Sequence, residues 1–120
     1  MQTLVRLNDG QVGRHNDDLD RCTFFDAGEG RITIDLQKPV SVSRVNTFSW
    51  HRSDRAPQKF SLWAAREKVS PRADLYAEDG GGWTLVATVD SRLLGEGGVH
   101  ASTVTFPDKT TYQYLMLITD

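Results

Sequence analysis

Between Arg31 and Ala65 apolar and polar residues alternate in short runs separated by turn signals. Ile32, Ile34 and Leu36 fall on one side of a two-residue repeat, and Thr33 and Asp35 on the other. That is the signature of a half-buried strand. Gln37-Lys38-Pro39 predicts a turn, because Pro39 has no N–H to give a ladder. A β-branched run follows from Val40 to Thr47. Its continuation sets Val45, Thr47 and Ser49 against Asn46, Phe48 and Trp50. The second set is bulky, so that face is expected to be covered toward the loop end. A polar loop from Arg52 to Gln58 leads to a strand over Lys59 to Trp63, with Phe60, Leu62 and Ala64 on its inner face.

The flanking regions read the same way. Leu4 to Leu7 predicts a short strand, turned by Asn8-Asp9-Gly10. A long polar loop runs from Gln11 to Arg21, and Cys22 to Phe25 is a short apolar strand. After Ala65, the charged stretch Arg66 to Asp74 reads as an irregular insertion around Pro71. A short strand is expected at Leu75 to Ala77, then a flexible turn at Glu78 to Gly82. Trp83 to Val89 predicts a strand with Leu85, Ala87 and Val89 on one face. A Gly-rich loop, Ser91 to Gly98, precedes a strand ending in Val104 and Phe106. Tyr112 to Ile118 is nearly continuously apolar, as a strand covered on both faces would be. No long amphipathic helix is visible. Seven or eight short strands with turns between them predict an all-β fold, an antiparallel β-sandwich.

Length and charge narrow the partners. A chain of 120 residues fits one domain spanning 1–120. With 38% hydrophobic and 25% charged residues it is expected to fold on its own core. The net charge of -2 argues against nucleic acid, which needs a basic face, although Arg52 and Arg55 form a local basic spot. Cys22 is the single cysteine, so no intrachain disulfide forms, and its apolar neighbours make it a small buried hydrophobe. No stretch is apolar for the length of a membrane span. Met1 to Arg6 lacks a signal-peptide core, which leaves two readings: a cytoplasmic protein, or a module of a larger exported one.

The candidate chemistry gathers in the loop after the second strand of the central stretch. Trp50 offers a flat apolar face; His51, Arg52, Asp54 and Arg55 offer donors and acceptors within one short segment. A sugar needs both, and a guanidinium fork can bridge adjacent hydroxyls. His100 and the Gly95–Gly98 loop could join from a neighbouring connection. The competing reading puts Trp50 in the core and pairs Arg55 with Asp54 on the surface. Asn8, Asp9, Asp17, Asp18 and Asp20 are hard oxygen donors of the kind calcium takes, without the EF-hand spacing. Alternatively Asp9 caps a turn and the others are solvated. His15, His51 and His100 lack zinc-ligand spacing. No nucleophile elbow, phosphate loop or paired-histidine motif is present, so the chain reads as non-catalytic.

Several of these segments together resemble a known family. Asp9-Gly10, Ile32-Thr33-Ile34-Asp35-Leu36, Val42 with Val45, Phe60-Ser61-Leu62-Trp63, Trp83-Thr84-Leu85 and Tyr112 to Leu117 follow the order found in discoidin, or coagulation factor 5/8 type C, domains. The resemblance covers nearly the whole chain. It implies a galactose-binding-like jelly roll and a non-catalytic binding module. Carbohydrate is the first ligand class, as in the similar bacterial carbohydrate-binding modules; protein interaction or assembly is the alternative. It also implies one structural calcium ion after the Asp-Gly turn, and an extracellular or periplasmic setting within a larger protein. Three features depart from the family: almost nothing precedes Asp9-Gly10, the closing disulfide is impossible, and Arg66 to Asp74 is inserted. The short start predicts an open sheet edge.

Overall fold

The computed structural model describes Arg14 and residues 29–119. The strands expected at Leu4–Leu7 and Cys22–Phe25 lie outside the described residues. Among the described residues six strands follow one another: β1 (Gly30–Ser41), β2 (Arg44–His51), β3 (Lys59–Ala65), β4 (Thr84–Asp90), β5 (Gly98–Thr105) and β6 (Thr111–Thr119). The described residues contain no α-helix, and no helix long and apolar enough to cross a membrane. One sheet has the order β1-β6-β3-β4, and β2 and β5 form a separate ribbon. All four pairings are antiparallel. Every connection except β3 to β4 passes from one sheet to the other.

The core between the sheets follows from strand alternation. Phe60, Leu62 and Ala64 of β3 and Leu115 of β6 meet Val104 of β5 and the adjoining Phe106. Leu36, Val45, Val86, Ala87 and Val89 pack around them from β1, β2 and β4. The architecture is therefore an all-β antiparallel sandwich, as the pattern predicts. β6 lies between β1 and β3 and is covered on both sides. Leu115 and Leu117 face the sandwich core, while Met116 and Ile118 face a second cluster with Ala65 and Trp83. The nearly continuous apolar run of this strand has that cause.

The insertion supplies the second cover. Val69, Ala73 and Leu75 close over Met116 and Ile118, and the indole N–H of Trp83 donates to the Ser70 carbonyl at 2.9 Å. Gly81 makes the fold-back possible. Its φ is +65°, and a Cβ there would sit 2.8 Å from both Ala73 Cβ and the Asp74 carbonyl.

Four local expectations are corrected. Leu75 to Ala77 is not a strand but part of this turn-rich cover. Gln37-Lys38-Pro39 does not end the first strand. β1 runs through it with an irregular register between Asp35 and Val40, where Gln37 takes φ 72° and its N–H donates to Asp35 Oδ1. Leu85 does not share the face of Ala87 and Val89, because the β3–β4 register slips between Leu62 and Trp63. The slip turns Leu85 outward and puts Val86 against the core. The face carrying Phe48 is not covered either: Phe48 is 61% exposed.

Leu62 is completely buried and Leu93 is 99% exposed, which separates two mutations of identical chemistry. Leu62→Ala is expected to destabilise the domain by about 2–5 kcal/mol. Leu93→Ala should leave stability within about 0.5 kcal/mol of the parent. Urea denaturation of both variants checks the pair.

Candidate functional site

The alternation of β2 decides where the site residues point. Val45 packs into the core, so Thr47, Ser49 and His51 point inward with it, and Asn46, Phe48 and Trp50 point outward. In β5 the inward partners are Val104, Ser102, His100 and Gly98. The interior of the ribbon is thus apolar at the Val45–Val104 end and polar at the loop end.

The polar end fixes the loop. Thr47 Oγ1 donates to Gln58 Oε1 at 2.8 Å, and Gln58 Nε2 donates to the His100 carbonyl at 3.1 Å. The Gln58 N–H donates to Ser91 Oγ at 2.8 Å, while the Ser91 N–H returns to the Gln58 carbonyl at 2.9 Å. Ser91 Oγ also lies 2.8 Å from His100 Nδ1. Gln58, Ser91 and His100 are all buried, so these bonds keep polar groups from being stranded in the interior. Ser49 Oγ donates to the Ala56 carbonyl, and the Ala56 N–H closes a turn on the Ser53 carbonyl. On the neighbouring connection, Gly97 lies so close that a Cβ there would be 2.5 Å from the Arg52 carbonyl oxygen.

On this frame the predicted residues separate into two groups. Arg52, Asp54 and Arg55 are exposed, and Trp50 is half-buried on the outward side of β2. His51 and His100 are buried at 5% and 3% exposure. His51 lies under the loop: its Nδ1 is 2.9 Å from Ser53 Oγ and 3.1 Å from the Ser53 nitrogen. Its Nε2 is 2.9 Å from Arg55 Nη2. A guanidinium nitrogen only donates, so Nε2 is the acceptor in the contact with Arg55. The structure therefore brings His51 and Arg55 together and sets His100 in the frame. Asp54 takes a long contact from Ser53 Oγ at 3.4 Å.

Asn8, Asp9, Asp17 and Asp18, the expected calcium donors, lie outside the described residues. Among the described residues no group of three or more His, Cys, Asp or Glu is placed to hold a metal. Two concavities open away from the loop. One of about 510 Å³ lies among Glu29, Arg31, Pro71 and Arg72, and one of about 310 Å³ lies beside Trp63, Leu75 and Tyr76. The loop itself carries the exposed residues Arg52, Ser53, Asp54 and Arg55. Sequence reasoning missed the exposed apolar groups around it, Phe48, Leu93, Leu94 and Val99. For Phe48 the signal was available: it shares the parity of Trp50, opposite the core-facing Val45.

No family model and no curated protein matches the chain.

The β4–β5 connection begins with an ion pair that can be measured. Arg92 donates its side chain to Asp90 at 2.6 Å and its backbone N–H to Asp90 Oδ1 at 3.1 Å. These bonds lower the Asp90 pKa from 3.8 to about 2, the side-chain bond contributing most. A depressed carboxylate stabilises the fold above its ordinary pKa, and that contribution is lost as pH falls toward about 2. The pair is solvent-exposed, so its effect on stability is small. Carboxyl NMR titration should give Asp90 a midpoint near 2, and Arg92→Ala should return it toward 3.8.

Proposed function

We propose that this domain is a non-catalytic ligand-binding module whose ligand is a carbohydrate, held at the β2–β3 loop. One observation carries this reading. Trp50 stands on the outward side of β2 immediately before an exposed turn bearing Arg52, Asp54 and Arg55, and a buried hydrogen-bond network fixes that turn. In this reading the indole stacks on the C–H face of a pyranose. Arg52 and Arg55 donate to adjacent hydroxyls, and Asp54 accepts from one. A guanidinium has five N–H donors, so the contact of Arg55 with His51 is compatible with a bond to ligand. His51 serves by aiming Arg55, and His100 by holding Gln58 and Ser91 in register. Fixed loops bind with a smaller loss of conformational entropy than loops ordered on contact.

The same proposal includes the discoidin-like jelly roll, with one structural calcium ion and a place in a larger exported protein. The calcium donors lie outside the described residues, and none of the ligand contacts above passes through the metal. A second reading, a protein-interaction or assembly module without sugar binding, is favoured by Leu93 and Leu94. They are 99% and 77% exposed at the turn between β4 and β5. Large apolar groups held in water are common at protein contacts.

A glycan array separates the two readings. On a glycan that binds, Trp50→Ala is expected to abolish binding while the melting temperature stays nearly unchanged. A large fall in melting temperature would assign the indole to the core, and an array without hits would favour the second reading.

A further inference from the structure

The outward face of the β2–β5 ribbon has a consequence beyond the loop. Its cross-strand pairs are Asn46 with Thr103, Phe48 with Ala101, and Trp50 with Val99. Phe48 is 61% exposed and Val99 63%. Phe48 and Trp50 are two residues apart on one strand, so their rings are offset by roughly 6.8 Å along it, the scale of one sugar ring. Thr103 Oγ1 donates to Asn46 Oδ1 at 3.0 Å, which holds the Asn46 side chain across the ribbon. The Asn46 amide has two N–H donors, and no bond from them is found among the described residues. None of these six side chains carries a charge. The charged groups stand beyond the ends of the strip, with Arg44 at one and Arg52 and Arg55 at the other.

We infer that this face is a platform for the interior of a neutral polysaccharide chain. The inference rests on the carbohydrate reading above and names the class of sugar. A face without charge suits a ligand without charge. The exposure of Phe48 and Val99 leaves the middle of the strip accessible to an extended chain. The rings of Phe48 and Trp50 would stack on successive pyranose units with equatorial hydroxyls, whose C–H faces are flat. Asn46 would donate to a hydroxyl beyond Phe48, and the loop arginines would meet the chain beyond Trp50. From Asn46 to Trp50 the strip is roughly 14 Å long, enough for two or three units.

The test titrates the full chain with β-1,4-linked glucose oligomers of increasing length, with xylose and mannose series as parallel arms. Calorimetry and ring-proton NMR shifts are the readouts. In the series that binds, affinity is expected to rise about tenfold from one unit to three and then level off. Phe48→Ala should weaken the trimer between about 2- and 10-fold without changing monosaccharide binding. Phe48→Tyr keeps a ring and should retain trimer affinity. Equal affinity for monomer and trimer, with Phe48→Ala silent, would overturn the platform and leave the loop site standing. Absence of binding in every series, together with a silent glycan array, would remove the carbohydrate reading and the platform with it. Sedimentation showing that the parent self-associates and Phe48→Lys does not would make the face a contact between copies and overturn the inference.

Discussion

The sandwich depends on covering β6 from both sides. Its side chains enter two clusters, Leu115 and Leu117 on one face and Met116 and Ile118 on the other. Neither face of such a strand can be left in water, since each large side chain contributes on the order of 1.5–3 kcal/mol on burial. One cover is the β2–β5 ribbon, which approaches through Val45 and Val104. The other is the segment between β3 and β4, anchored by Trp83. The charged stretch within it, an apparent interruption in the sequence, is the solvent side of that second cover.

The ribbon changes character along its length, and the change places the site. At one end it closes the apolar core. At the other its inward positions are Thr47, Ser49, His51 and His100, which could not be buried without partners. The partners come from the adjoining connections, chiefly Gln58 and Ser91. The need to satisfy these groups ties the β2–β3 and β4–β5 connections together. The exposed turn from Arg52 to Arg55 inherits its position from that buried chemistry.

Much of this was legible in the sequence, because burial in strands has a period of two. Phe60, Leu62 and Ala64, the pair Val104 and Phe106, and the run through Leu115 and Ile118 all sit where that period puts them. The errors fall where the period is broken or where a distant segment decides. The register slip beside Leu62 reverses the face of Leu85, and the irregularity at Gln37 continues a strand that looked finished. Nothing local to Leu75 announces that it packs on Met116 and Ile118. In the site, the outward Trp50 and exposed Arg52 and Arg55 were readable from alternation and polarity. The burial of His51 was readable too, since it continues the parity of Val45, Thr47 and Ser49. The burial of His100 follows in the same way, since it shares the parity of Ser102 and Val104 in β5.

Gly97 places a limit on how this surface can vary. With no room for a Cβ against the Arg52 carbonyl, two neighbouring loops touch main chain to main chain. Lengthening either loop, or putting any other residue at 97, would disturb the contact. Exchanging the outward side chains at 52, 54 and 55 would not. Diversification of the chemistry at this end should therefore proceed by swapping side chains at fixed length, like type set in a locked frame.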